Sequence, residues 1–89
     1  MAHSLSAKKR MRQNETRRVR NRARKSVVKT QTRRFTEAVA ARHVETSETE
    51  LRKACRLLDR IAAKGTMHKN TVARRKSSLQ KRFNALKAR

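Results

Sequence analysis

SAKKRMRQNETRRVRNRARKSVVK, residues 6–29, is the stretch whose reading decides the fold of this chain. Eleven of its residues are Lys or Arg, Glu15 is its one acid, and it holds neither Gly nor Pro. Most of its residues form helix readily, but Met11, Val19, Ala23, Val27 and Val28 are too few and too scattered to make a buried face. At ~100° per residue the bases do not share a side. Arg18 and Arg22 point one way, Lys9 and Arg20 nearly opposite, and Arg10, Arg17 and Arg24 a third way. A helix lying on a flat polyanion needs charge on one face; charge on every face suits a rod set between segments of folded nucleic acid. A solvated basic tail would share the composition. It would not continue into an apolar stripe, as this stretch does at Val27, Val28, Phe35, Ala38 and Val39.

Working outward, the whole chain of 89 residues has room for one domain, 1–89, and for only a small core. It carries 27 Lys and Arg against 6 Asp and Glu, a formal net charge of +21. Self-repulsion on that scale opposes compactness unless a polyanion offsets it. Aromatic residues are limited to Phe35 and Phe83, which argues against recognition by stacked bases. No run approaches the ~18 apolar residues of a membrane span, and the N-terminus has no apolar signal core. Cys55, the lone cysteine, offers no intrachain disulfide and fits a reducing cytoplasm.

Three helices are expected, at about 6–43, 47–64 and 67–88. Residues 1–5 form a frayed arm, and Ser6 caps the first helix, with Ser4 the alternative. Ser47, with Glu50 three residues on, reads as a capping box for the second helix. In that helix Leu51, Ala54, Cys55, Leu58, Ile61 and Ala62 make the cleanest apolar stripe of the chain. Gly65, the only glycine, falls where a helix end needs a left-handed residue, and Thr66 can cap the third helix. Val72, Leu79, Phe83 and Leu86 give the third helix its stripe. Charge is uneven along the chain: +12 for residues 1–44, +1 for 45–65 and +8 for 66–89. At ~1.5 Å rise per residue the first helix spans ~57 Å, the others ~27 and ~33 Å. The fold class is therefore all-α: an antiparallel three-helix bundle in which the basic N-terminal half of the long first helix projects beyond its partners. In isolation the first ~20 residues are expected to be open and to fold on a polyanion.

The block DRIAAKGTMHKNTVARRKS at residues 59–77, with the SAKKR opening and the spacing of Lys25, Ser26, Lys29 and Thr30, resembles the bacterial small-subunit ribosomal protein S-twenty family over essentially the whole chain. The resemblance implies a three-helix bundle, in the cytoplasm and on the ribosome, that binds small-subunit ribosomal RNA. It would bridge the five-prime domain and the long penultimate helix, as a monomer with few or no protein contacts. Carried over, the RNA-contacting residues are Lys8, Lys9, Arg10, Arg17, Asn21, Lys25, Ser26 and Lys29, then Lys64, His68, Lys69, Asn70, Arg74, Lys76 and Ser77. The charge reading adds Arg12, Arg18, Arg20, Arg22, Arg24 and Arg75. This chain has RHVETSE from Arg42 where the family often has a Gly-Asp turn, Met67 where a branched apolar residue is usual, and Arg75 where a histidine is frequent. None of these removes a charge from the RNA face.

Other chemistry finds little support. His3 and His43 read as solvent residues, and no histidine pair is spaced to clamp a metal with Cys55. Cys55 sits in an apolar stripe and reads as a small core residue. Asp59 and Glu50 lie nine positions apart beside bases, not as a catalytic pair. No enzyme, no cofactor and no small-molecule substrate is expected. An architectural DNA-binding protein would carry similar charge, but there is no apolar wedge in the basic arm. A membrane-active cationic helix would need a broad apolar face that the arm lacks.

Overall fold

The computed structural model describes residues 5–88, and all three elements among them are helical: α1 (Leu5–Ala40), α2 (Val44–Ala63) and α3 (Lys69–Lys87). At 36 residues α1 is ~54 Å long, and the molecule measures 63 × 21 × 16 Å. α2 is the middle of the bundle: α1 and α3 each pack mainly on it and touch one another little. α2 contains four acids and four bases, α1 thirteen bases and two acids, and α3 seven bases and no acid. A neutral helix thus stands between two strongly basic ones and keeps their like charges apart.

The core lies at one end of α1. Val28, Phe35, Leu51, Ala54, Leu58, Ile61, Val72, Leu79 and Phe83 form it, with Phe35, Ala54 and Leu58 at 0% exposure. α1 buries only Val28, Gln31, Phe35 and Ala38, a stripe at spacings of three and four on its C-terminal half. Val27, expected in that stripe, is 53% exposed, because it sits one step round the helix from Val28, at the open edge of the α1–α2 seam. Gln31 takes an inward position instead: its Nε2 donates to the backbone carbonyl of Glu50 at 3.1 Å and to the Glu50 carboxylate. From Leu5 to Arg20 every residue but Ala7 is exposed. The open arm expected for the first ~20 residues is instead continuous helix from Leu5 onward. Its Ala, Arg, Lys, Met and Gln favour that state, and no Gly or Pro interrupts it.

Capping departs from the sequence reading in three places. α1 is already helical at Leu5, so Ser6 is interior; Ser4 and the rest of the expected arm, residues 1–4, lie outside the described residues. α2 begins at Val44 with His43 as its N-cap, so Ser47 is in the first turn and makes no capping box. Ser47 is instead fully buried, and its hydroxyl has no hydrogen-bond partner. A buried unpaired hydroxyl costs ~1–3 kcal/mol, and Ala is the better helix former. Ser47→Ala is expected to stabilise the protein by ~1–2 kcal/mol in denaturant titrations, with an unchanged m-value. α3 is capped by His68, whose Nδ1 accepts from the Asn70 backbone N–H at 3.1 Å, and not by Thr66.

Both interhelical turns use one device. After α2, Gly65 has φ +72°, its N–H donates to the Ala62 carbonyl, and the Thr66 N–H donates to the Ile61 carbonyl. After α1, Arg42 has φ +60°, its N–H donates to Val39 and the His43 N–H to Ala38. Each is a Schellman closure, which needs a left-handed residue and prefers glycine there. The first turn holds that conformation with an arginine, at a cost of ~1 kcal/mol or more. The two sites therefore respond oppositely. Arg42→Gly is expected to raise stability by ~0.5–1 kcal/mol. Gly65→Ala is expected to lower it by ~1 kcal/mol, through backbone strain alone, since nothing lies within 4 Å of the added Cβ. Chemical denaturation of the two variants side by side checks both signs.

Candidate nucleic-acid interface

The corner where α2 turns into α3 docks against α1 at Asn21 and Arg24. Thr66 Oγ1 donates to Asn21 Oδ1 at 3.0 Å, and Arg24 Nη1 donates to Asn21 Oδ1 at 3.4 Å and to Thr66 Oγ1 at 3.3 Å. This triangle marks where α1 leaves the bundle, and basic grooves open on both sides of it. The first, of about 890 Å³, joins Lys9, Arg12, Arg17, Arg20, Asn21 and Arg24 of α1 to Lys64 and Gly65. The second, of about 940 Å³, lies between α1 and the start of α3. It joins Lys25, Ser26 and Lys29 to His68 and Arg75, with Thr30, Thr32, Arg33, Thr36, Thr66 and Thr71 along its walls.

The remaining expected residues fall outside these two grooves. Arg18 and Arg22 share a shallower depression with Asn14, Arg17, Asn21 and Lys25 on another side of α1. Arg74 and Ser77 line a basic hollow on α3 with Lys81 and Arg82. Lys8 and Arg10 are exposed on the projecting arm, and Lys69 and Asn70 are exposed at the start of α3. Lys76 is the exception to an open cationic surface: its Nζ lies 2.9 Å from Asp59 Oδ1, joining α3 to α2. That hydrogen bond raises the Lys76 pKa from its ordinary 10.5, so the pairing is present at neutral pH and is lost only as pH climbs past that value. Apart from Lys76 and Arg18, which pairs with Glu15 at 2.8 Å, no cation among the expected site residues has a carboxylate partner among the described residues.

Gln13, Thr16, Arg33, Lys81, Arg82 and the threonines of the second groove were missed in the sequence. The threonines carry no charge, and only the docking of the α2–α3 corner beside α1 brings Thr30 and Thr36 into one groove with Thr66 and Thr71. Catalytic or metal chemistry gains nothing from the geometry. Burial pushes the Cys55 thiol up, Lys76 opposes this and Asp59 adds to it, which leaves a protonated, half-buried sulfur against the core. Among the described residues no group of three or more His, Cys, Asp and Glu could hold a metal ion, and no helix is long and apolar enough to cross a membrane.

The fold and the grooves define a class: a small helical scaffold with a projecting basic helix and uncompensated cationic grooves at its foot. Comparison with known proteins makes the class specific. Residues 2–84 match the family model for ribosomal protein S20. Small ribosomal subunit protein bS20 of Syntrophobacter fumaroxidans is 48% identical over 86 residues, covering 97% of this chain and all of the relative. The proteins of the same name from Desulforudis audaxviator and Persephonella marina are 49% and 50% identical, over 97% and 99% of this chain and 98% and 96% of their own lengths. The chain belongs to the ribosomal protein S20 family.

Proposed function

We propose that this chain binds small-subunit ribosomal RNA directly, through Lys and Arg contacts to phosphates, and thereby holds one assembled RNA arrangement. As a member of its family it is a structural, non-enzymatic component of the small ribosomal subunit, placed in the ribosome in the cytoplasm. The observation that carries the direct-binding reading is the pair of cationic grooves meeting at the Asn21–Arg24–Thr66 triangle. Each neutralised phosphate releases condensed counterions, which supplies affinity without base readout. The arm carries charge on all sides, so it can separate RNA segments that would otherwise repel across it. In the proposed placement these belong to the five-prime domain and the penultimate helix. The bundle anchors the arm, and the hydroxyls of the second groove add neutral donors to phosphate and sugar oxygens.

The test is competition binding at matched salt between a folded RNA fragment holding those two regions and duplex DNA of equal length. The RNA fragment is expected to bind more tightly, with log K falling steeply against log salt. Equal affinity for both would leave only non-specific polycation binding. Circular dichroism with and without the RNA reads the state of the arm: equal helicity in both means that it is helical before it binds.

A further inference from the structure

Between α1 and α2 a notch of about 140 Å³ stays open to solvent. Val28 and Ile61, both buried, form its back wall. Half-buried Leu57 and 53%-exposed Val27 form its sides. Arg24, Arg60 and Lys64 stand round its mouth, and none of them has a carboxylate partner among the described residues. An aliphatic floor rejects a charged or strongly hydrated group, while a triply cationic rim rejects cations and attracts anions. The matching ligand has a compact apolar body attached covalently to phosphate. A single unpaired nucleotide has that form, and the notch has room for one base but not for a base pair. Arg24 and Lys64 also line the larger α1 groove, so a backbone lying in the groove reaches the notch without leaving the cations.

We propose that this notch takes the base of one looped-out nucleotide of the bound RNA, with the flanking phosphates on Arg24, Arg60 and Lys64. The inference rests on the RNA-binding reading above and sharpens it, since it adds one apolar, base-sized contact to a surface otherwise directed at phosphates. Leu57 lies outside the charge run and the motif blocks of the sequence, and Arg60, though within the 59–77 block, is not among the RNA-contacting residues the resemblance implies. No aromatic residue is needed, because the faces of the base rest on methyl groups.

Val27→Phe fills the notch from its solvent side without touching the core. Val19→Phe places the same ring at a 58%-exposed position eight residues earlier on α1 and serves as the control. Against the small-subunit RNA fragment, Val27→Phe is expected to bind about tenfold more weakly with an unchanged salt slope, and Val19→Phe to bind like the parent protein. Base-modifying reagents are expected to find one unpaired nucleotide protected by the parent protein and exposed again with Val27→Phe. Arg60→Gln, at an exposed position, is expected to expose the same nucleotide and to make the salt slope shallower by about one unit. Equal losses at positions 19 and 27, or a neutral Val27→Phe with no nucleotide regaining reactivity, overturn the notch while leaving phosphate binding intact. Failure of the parent protein to bind the fragment in a salt-dependent way overturns the RNA reading itself.

Discussion

Phe35→Ala is expected to leave the isolated protein largely unfolded at 37 °C and low salt. Phe35 is one of two aromatic residues and is fully buried where α1 meets α2. Replacing a buried Phe by Ala costs ~3–5 kcal/mol in lost transfer energy and cavity. At ~0.05–0.15 kcal/mol per residue a chain of this length has a total stability of a similar order. With so few core side chains there is little surrounding packing to absorb the gap, and the net charge of +21 already favours expansion. Thermal melts followed by circular dichroism should show the cooperative transition lost or shifted far down. Addition of the RNA fragment should restore it in part, because a ligand that binds only the folded state stabilises by mass action. Val19→Ala, on the exposed arm, should melt like the parent. A Phe35→Ala variant within 1 kcal/mol of the parent would mean that the aromatic core does not hold the bundle together.

The second large effect is electrostatic. Replacing Lys9, Arg12, Arg17, Arg20 and Lys64 by Gln clears the first groove of five cations and leaves the Arg24 triangle untouched. At ~0.7–0.9 units of salt slope per neutralised phosphate, the log–log slope for RNA binding is expected to become shallower by about 4. The affinity near 0.1 M salt should drop by roughly 10³–10⁵-fold. These side chains are exposed, so folding stability should hold or rise as repulsion is relieved. The contrast is Arg52, Lys53 and Arg56 on α2, of which the first two already face Glu48 and Glu50 at 2.7 and 3.9 Å. Replacing these three by Gln should leave the slope nearly unchanged. Equal slopes for the two sets would show that total charge, and not the groove, governs binding.

Much of the fold was legible because it rests on period. The stripes through Leu51 and Leu58 and through Val72 and Phe83 named their own buried faces, and helix lengths forced the N-terminal half of α1 out of the bundle. Misreadings arose where a local signal competed with packing. Ser47 and Glu50 have the spacing of a capping box, but the Schellman closure at Arg42 starts α2 three residues earlier and rotates Ser47 into the core. Gln31, which no apolar pattern singles out, is buried because Glu50 satisfies its amide inside the bundle. Thr66 has the chemistry of a cap and is spent on Asn21 and Arg24 instead. In the candidate site the charges announced themselves and the hydroxyls did not. The Lys76–Asp59 pair needed the register of α3 on α2, which no pattern along one helix contains.

The projecting part of α1 has one further consequence. A helix without tertiary support opens locally at little free-energy cost, and this one presents Lys or Arg at almost every turn. Trypsin-like proteases need such a basic residue in a locally unravelled segment, so limited digestion of the isolated chain is expected to trim α1 back towards Asn21 and Arg24 before it cuts within the bundle.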